Sequence, residues 1–210
     1  MLKRMINEKR IPVVTAVILA LNLIGYLYEL IGGQEEVLLS YGMFQGALEW
    51  GEWYRIITSE FLHFDLPHLA CNMLCLFSFG LMLENDIGRW KFAVIYAAAI
   101  AGAGLLIQYA GGARALHAGA SGAVWGLMFA ALVYVIKFHG NPAGILRGIA
   151  LNLIYSFSAQ VSWQGHIGGG IAGLIAALIL LNLPDRGGSF RKWKKSHPDV
   201  SDDFYYGNRR

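Results

Sequence analysis

Long apolar runs separated by short polar connections dominate the pattern of hydrophobic and polar positions along this chain. Six such runs occupy approximately residues 11–30, 66–83, 92–110, 118–136, 145–161 and 167–183. About 20 apolar residues in a helix span the ~30 Å hydrocarbon core of a bilayer. The pattern therefore predicts an all-α, polytopic membrane protein with six transmembrane helices. The fifth run is the least regular, because its last part is polar.

The longest connection, residues 31–65, is rich in apolar and aromatic residues and does not resemble a plain hydrophilic loop. A connection this long is uncommon unless it has a function, and Trp and Tyr are favoured at the membrane interface. We expect this loop to form short helices that lie at the outer membrane surface.

Composition supports a membrane protein. Of the 210 residues, 56% are hydrophobic and only 15% are charged, whereas soluble domains have about 25% charged residues. We expect one transmembrane domain, residues 11–183, between an N-terminal segment, residues 1–10, and a basic tail, residues 184–210. The first run lacks a small-residue cleavage site, so it is interpreted as a retained span. Cys71 and Cys75 are expected to be small buried hydrophobic residues.

The basic residues predict the orientation in the membrane. With a cytoplasmic N-terminus, only Arg55 and Arg114 of the 17 Lys and Arg residues lie in outer segments. Cytoplasmic segments of membrane proteins carry an excess of Lys and Arg. The sequence therefore predicts a multi-pass cell-membrane protein with both termini in the cytoplasm. In this topology the second, fourth and sixth runs all begin at the outer face.

Residues 117–126, HAGASGAVWG, place a lone serine, Ser121, at the head of the fourth run. The first N–H groups of a helix have no partner within the helix, and the helix dipole favours negative charge there. An oxyanion formed by attack of Ser121 would be stabilised at this position. A serine in an apolar helix more often bonds to its own backbone, so this motif alone is weak support for catalysis. Gly122 and Gly126 allow a second helix to approach closely.

The sixth run supplies a candidate for that second helix. Gly165, Gly169 and Gly173 recur every four residues and form a smooth stripe, beside which stands His166. Ionisable residues within membrane spans are costly and are usually functional. If the two glycine stripes pack together, His166 and Ser121 meet.

The second run adds two polar residues near its outer end. His68 and Asn72 are four positions apart and therefore project from one helix face. Because the second, fourth and sixth runs all begin at the outer face, these residues are expected at the same depth as Ser121 and His166.

These residue types predict the chemistry of a serine hydrolase with a dyad. Ser121 is the candidate nucleophile and His166 the candidate general base, since no Asp or Glu accompanies it on the sixth run. His68 and Asn72, with the backbone N–H of Ser121, are candidate donors to the oxyanion. No metal or other cofactor is expected. Polar residues before and within the sixth run either line a water-filled entrance or form an ordinary solvated loop; they are Ser158, Gln160, Ser162 and Gln164.

A transporter is an alternative, with His68 and His166 relaying protons or binding a metal. Two features oppose it. The first three and last three runs show no evident repeat, and His63 is the only nearby candidate for a third metal ligand.

From about residue 41 to residue 177 the chain resembles the rhomboid family of intramembrane serine proteases. Its motifs appear in order as Glu52-Trp53-Tyr54-Arg55, similar to the Trp-Arg motif of the first loop; His68 to Asn72, similar to HxxxN; Gly119-Ala120-Ser121-Gly122, similar to GxSG; and His166, Gly169 and Gly173 in the last span. The departures are Tyr54 where Trp is common, Trp125 where Tyr or Phe often packs on the histidine, and Gly165 where Ala is frequent.

The resemblance implies roles for individual residues. It makes Ser121 and His166 the catalytic dyad, with His68, Asn72 and Gly119 supporting the oxyanion. It also implies structural roles for Arg55, Trp125, Gly169 and Gly173. Glu84 matches a carboxylate at the inner end of the second span, and we expect it to bond to neighbouring backbone or to Arg89. His63 is expected to be a loop hydrogen-bonder, and His117 and His139 are expected at the membrane interface.

The resemblance further implies a first loop partly embedded in the membrane and a mobile fifth span that gates substrate entry. The expected partners are the lipid bilayer and single-span membrane protein substrates, cut in or near their spans, and no nucleic acid. A non-catalytic relative that binds membrane helices ranks second, because such proteins lose the serine or the histidine and both are present here.

Overall fold

The computed structural model describes residues 12–112, 115–138, 140–156 and 162–183. The predicted N-terminal segment and basic tail lie outside these ranges. Four polar residues considered above, Arg114, His139, Ser158 and Gln160, also lie outside the described residues.

The described residues are mostly helical. The helices are α1 Val13–Gly32, α2 Gln34–Tyr41, α3 Arg55–Thr58, α4 Leu66–Ile87, α5 Arg89–Ala110, α6 Ser121–Lys137, α7 Ala143–Ser156 and α8 Trp163–Leu180, and a 3-10 turn at Ser59–Phe61 follows α3. Two short antiparallel strands, β1 Met43–Phe44 and β2 Leu116–His117, join the first loop to the segment before Ser121. The all-α prediction therefore needs this one small addition.

Four of the described helices, α1, α4, α5 and α8, are long and apolar enough to cross a membrane. Two more are apolar but shorter: α6, and α7 over Ala143–Ile154. The chain is therefore a helical, polytopic membrane protein. Its six-span topology stays a prediction. The first loop forms α2, α3 and the 3-10 turn, which confirms that it contains short helices.

The connection between α4 and α5 is shorter than the sequence suggested. The predicted runs end at residue 83 and resume at residue 92, but α4 continues to Ile87 and α5 begins at Arg89. Gly88 alone separates them and has a φ of +89°. Glycine adopts positive φ without steric cost, so one residue is sufficient to end the first helix and start the second.

Glu84 lies inside α4 and is buried, where it binds the beginning of α1. Its carboxylate accepts hydrogen bonds from the backbone N–H groups of Val14 and Thr15, at 2.9 and 2.8 Å, and from the Thr15 hydroxyl at 2.8 Å. The Nε atom of Arg89 is 3.7 Å away. Glu84 thus satisfies N–H groups that a helix N-terminus leaves without partners. The expected bonding to backbone is confirmed, but its partner, the start of α1, was not predicted.

The two cysteines of α4 do not belong to its buried stripe. Cys71 is exposed and Cys75 is only partly buried, so the expectation that both are buried is wrong. The buried stripe of α4 instead includes Leu69, Leu76 and Leu83. Because lipid is as apolar as a protein core, an apolar residue in a membrane helix need not face inward.

Helix α8 packs mainly against α5 and α6, and this arrangement positions the candidate site. The fully buried part of the core includes Leu76, Leu83, Phe92, Ile95 and Leu127, from α4, α5 and α6. The N-terminal end of α8 is therefore enclosed by other helices.

Candidate active site

The backbones of α6 and α8 are in direct contact along their glycines. A Cβ atom placed on Gly122 would lie 3.2 Å from the carbonyl oxygen of Gly165, and one on Gly126 would lie 2.9 Å from that of Gly169. Cβ atoms on Gly169 or Gly173 would collide with the backbone of α6. The two glycine stripes therefore pack together as predicted, because side chains at these positions would separate the helices.

A third helix takes part in this packing, which the sequence analysis did not anticipate. Gly102 of α5 packs against the backbone of Gly168 in α8, and Ala99 and Ala103 of α5 lie against Gly126 and Gly122. The small residues of the third run could have indicated this close packing. That run has no candidate catalytic residue, so it was not considered for the site.

Helix packing brings Ser121 and His166 together. Helix α6 begins at Ser121, and His166 lies in the first turn of α8. The Nε2 atom of His166 is 2.9 Å from Oγ of Ser121. The His166 ring stacks on the buried Trp125 ring, with centroids 5.2 Å apart and an interplanar angle of 19°. His166 is buried and Ser121 is partly exposed.

Gly119 shapes the turn that leads into Ser121. Its φ is +122°, and its N–H donates a hydrogen bond of 2.9 Å to the carbonyl oxygen of Ser59. A Cβ atom on Gly119 would lie 2.6 Å from Cε1 of His68 and 3.6 Å from Nδ2 of Asn72. Both the backbone angle and the close approach of His68 thus require glycine here. His68 and Asn72 are the side chains that cover this turn.

Asn72 carries a donor without a partner. Its Nδ2 atom is buried and makes no hydrogen bond to any described residue. Leaving a buried donor unsatisfied costs about 1–3 kcal/mol. Such a group deserves an explanation, and a role in binding an oxyanion that forms during reaction is one.

His63 and Phe64 surround the His68 ring. The rings of His63 and His68 are 5.1 Å apart at 64°, and Phe64 stacks on His68 at 6.2 Å and 8°. His63 forms hydrogen bonds in the loop through its backbone: its N–H donates to Glu29 at 2.8 Å and its carbonyl oxygen accepts from Gln34 at 3.0 Å. Its ring nitrogens have no hydrogen-bond partner among the described residues. Burial, aided by His68, lowers the pKa of His63 to about 3, so its ring is neutral.

Arg55 links separate parts of the first loop through hydrogen bonds. It is buried, and its Nε atom donates to Glu52 at 2.7 Å. Its Nη1 atom donates to the carbonyl oxygens of Leu39 and Gly42, at 2.9 and 2.7 Å. The guanidinium group also lies over the ring of Phe44, 4.9 Å from its centroid. Arg55 lies outside the Ser121 site and supports a structural interpretation.

Two other polar residues are buried. His117 lies in β2, and its Nε2 atom donates to the carbonyl oxygen of Gly111 at 3.0 Å. Burial lowers the pKa of His117. Gln164 belongs to α8 and donates to the carbonyl oxygen of Ala110 at 2.8 Å, so it is not a solvated loop residue. The hydroxyl of Ser162 caps α8 by accepting from Gly165 N–H at 3.2 Å.

A small cavity lies beside Ser121, and its polar lining includes a residue that the sequence analysis missed. Glu60 lines it together with Ser59, His117, Ser121 and Ser162. Glu60 is buried, and burial raises its pKa to about 8. Its position in a loop gave no periodic signal of burial.

Within the described part of the chain, no three His, Cys, Asp or Glu side chains are arranged to hold a metal ion. His63 and His68 are neighbours, but no third ligand joins them among these residues. The metal-binding form of the transporter alternative therefore gains no support from the described side chains.

Comparison with known proteins places these features in a family. The Rhomboid domain model matches residues 50–183. The chain is similar to the rhomboid protease GluP of Bacillus subtilis, with 36% identity over 195 residues. This match covers 86% of the chain but only 37% of GluP. It is also similar to the rhomboid protease AarA of Providencia stuartii, at 28% identity over 82% of the chain and 74% of AarA.

A further relative is the Rhomboid-type serine protease 2 of Emericella nidulans, at 29% identity over 64% of the chain and 28% of the relative. The names of these relatives support a hydrolase that acts on peptide bonds. The domain match covers more than half of the chain and includes all four site residues, His68, Asn72, Ser121 and His166. The chain therefore belongs to the rhomboid family.

Proposed function

We propose that this chain is an intramembrane serine protease that uses Ser121 and His166 as a catalytic dyad. The observation that carries the proposal is the 2.9 Å contact between Nε2 of His166 and Oγ of Ser121. It occurs at the N-terminus of a membrane-protein helix, and the unpartnered amide of Asn72 lies near Gly119, two residues before Ser121. A nucleophile within hydrogen-bond distance of a base is the geometry that serine hydrolysis requires.

The first step is acylation. A neutral His166 accepts the Ser121 proton at Nε2 while Oγ attacks the carbonyl carbon of the substrate. The carbonyl oxygen becomes an oxyanion. His166 then returns the proton to the nitrogen of the leaving group, the C–N bond breaks, and the substrate's N-terminal part remains as an ester on Ser121.

The second step is hydrolysis of that ester. His166 accepts a proton from a water molecule, whose oxygen attacks the ester carbonyl. Collapse of the second oxyanion breaks the bond to Oγ, and His166 returns the proton to Ser121. The carboxylate product leaves and the dyad is restored. Trp125 supports both steps because its ring, stacked on the imidazole, fixes the plane in which His166 reaches Oγ.

Oxyanion stabilisation is assigned to Asn72, His68 and the N–H of Ser121. The Nδ2 group of Asn72 is available, since it has no partner in the described structure. His68 lies against Gly119, two residues before the nucleophile. Preorganised donors of this kind are worth about 10²- to 10³-fold in turnover each.

The proposed topology has six spans, cytoplasmic termini and an active site that opens to the outer face. Its support is the placement of the Lys and Arg residues and the apolar character of α6 and α7. The proposed substrates are single-span membrane proteins, which enter beside α7. That helix packs mainly against α6 and exposes large apolar side chains, including Leu151 and Ile154.

Cleavage of a single-span reporter by the purified protein in liposomes tests the proposal. The reporter helix carries small and helix-breaking residues near its outer end. Wild type is compared with Ser121→Ala and His166→Ala, and with Ser78→Ala as a control at an exposed serine of α4. We expect cleavage by wild type and the control only.

Three results would contradict this account in different ways. Cleavage by both dyad variants at the wild-type rate would refute the dyad. If all proteins are inert but retain the reporter on purification, the chain binds membrane helices and does not cut them. Proton or ion flux across the liposomes without cleavage would favour the transporter.

A further inference from the structure

Glu60 and its neighbour Ser59 flank the turn that carries Ser121. The carbonyl oxygen of Ser59 accepts the N–H of Gly119, which precedes the nucleophile. The carboxyl group of Glu60 lies on the other side, where a Cβ atom on Gly122 would be 3.3 Å from its Oε1 atom. The backbone N–H of Ala123 is also next to this carboxyl group. The 3-10 turn thus contacts the residues on both sides of the serine.

The Oε2 atom of Glu60 has no hydrogen-bond partner among the described residues, although Glu60 is only 5% exposed. Two more buried polar atoms in this region lack partners in the described structure, Oη of Tyr96 and Oδ1 of Asn22. Tyr96 is close enough to interact electrostatically with both Glu60 and Asn22. The three side chains therefore form a buried polar cluster behind the nucleophile.

The balance of donors and acceptors in this cluster favours a protonated Glu60. An ionised Glu60 and the Asn22 oxygen are both acceptors, and the Tyr96 hydroxyl is the one donor facing them in this cluster. Protonation of Glu60 adds a second donor. Burial acts in the same direction, since it raises the pKa of Glu60 to about 8, while the N–H of Ala123 opposes the shift.

Charged groups nearby do not offset an ionised Glu60. The titratable or charged side chains of these elements that lie toward the 3-10 turn and the cavity include Glu29 of α1, Arg55 of α3, Tyr96 of α5, His117 of β2 and His166 of α8. The same elements also carry Tyr26, Tyr28, Arg89, Lys91, Tyr109, Tyr134 and Lys137. Arg55 is engaged by Glu52 and two carbonyl oxygens, and burial lowers the pKa of His117. Among the described residues, no Lys or Arg forms an ion pair with Glu60.

We propose that Glu60 is a positioning residue that supports the first turn of α6 in its protonated form, and that its ionisation at alkaline pH disables the site. This inference rests on the proposed protease function. A buried carboxylate beside Gly122 would repel the oxyanion that forms on the Ser121 adduct, because like charges interact strongly where water is excluded. It would also leave Oε2 as a charged acceptor without a donor.

The test is the pH profile of reporter cleavage, with each protein normalised to its own rate at about pH 6.5. With an apparent pKa of about 8, roughly one molecule in ten keeps the Glu60 proton at about pH 9. We expect wild type to lose about tenfold in rate over this range, whereas Glu60→Gln changes by less than about threefold. Glu35→Gln, at an exposed glutamate of α2, is expected to decline as wild type does.

A parallel decline in wild type and Glu60→Gln would overturn the proposal, as would a flat wild-type profile. If Glu60→Gln does not fold, Glu60→Met provides an uncharged side chain of similar length. Failure of both variants to fold at about pH 6.5 would also overturn it, because a neutral residue should then be sufficient.

Thermal unfolding separates this proposal from the proposed function. A proton held in the folded chain up to about pH 8 but released by the unfolded chain near 4.5 stabilises wild type at low pH. That stability is lost as the pH rises to about 8, and Glu60→Gln should not show the loss. Suppose that wild type cleaves no reporter and still loses stability with rising pH while Glu60→Gln does not. That result would refute the proposed proteolysis and the proposed effect of Glu60 on its rate, but not the protonated state of Glu60. Equal pH dependence of unfolding in the two proteins refutes the protonated Glu60 itself.

Discussion

The Nε2 atom of His166 lies 2.9 Å from Oγ of Ser121, although the two residues are 45 positions apart in the chain. The contact does not depend on long side chains. It exists because glycines let the backbones of α6 and α8 touch, and because both helices begin at the same end of the bundle. The chemistry of the site is therefore set by helix packing.

Widening the helix contact should disable the site without altering any polar residue. Gly126→Val places a branched side chain against Gly169 and Ala99, so α6 and α8 must separate. We expect a loss of about 1–3 kcal/mol in the free energy of unfolding and a large loss of cleavage. Thermal unfolding in detergent and the reporter assay measure the two effects. Gly144→Ala is the control, since no described atom lies within 4 Å of its new Cβ; an active, stable Gly126→Val would contradict this account.

The turn before Ser121 should not tolerate a side chain at Gly119. Gly119→Ala combines a strained φ of +122° with a Cβ contact of 2.6 Å to His68. Gly112→Ala has a similar strain, at φ +82°, but meets no described atom within 4 Å. We expect Gly112→Ala to lose about 1 kcal/mol of stability and remain active, whereas Gly119→Ala becomes inactive. Equal activity of the two variants would show that the His68 contact does not matter.

Much of this site followed from residue spacing. Glycines four positions apart predicted the packing of α6 on α8, and the positions of His68, Asn72, Ser121 and His166 near the starts of their runs predicted a common level. These inferences succeed because a helix has a fixed period and a membrane fixes where helices begin. In the same way Glu84, near the C-terminal end of α4, was expected to bind neighbouring backbone or Arg89.

The features that the sequence did not predict depend on tertiary contacts, which leave no regular spacing in the sequence. His63 and Glu60 lie in the loop between α3 and α4, and their burial comes from the way this loop folds against α1 and α6. Burial of Gln164 followed from α8 beginning earlier than its apolar run. The predicted burial of the α4 cysteines was wrong because apolar side chains are equally stable facing lipid or protein.

The unpartnered amide of Asn72 leads to a prediction about the turnover number. Asn72→Ala should reduce the turnover number by about 10²- to 10³-fold with little change in KM, because the lost interaction forms only with the oxyanion. Its thermal stability should not fall, since no hydrogen bond of Nδ2 within the described structure is removed. Asn85→Ala, at the other end of α4, provides the control. A variant that loses stability but keeps its turnover number would assign Asn72 to structure.

The most direct test of the dyad needs no substrate. A fluorophosphonate reacts covalently with an activated serine, so the intact mass of the protein after incubation reports the reactivity of Ser121 itself. We expect one adduct on wild type, located at Ser121 by peptide mapping, none on Ser121→Ala, and labelling of His166→Ala slowed by at least about 10³-fold. An adduct at another residue, or equal labelling of wild type and His166→Ala, would contradict the account.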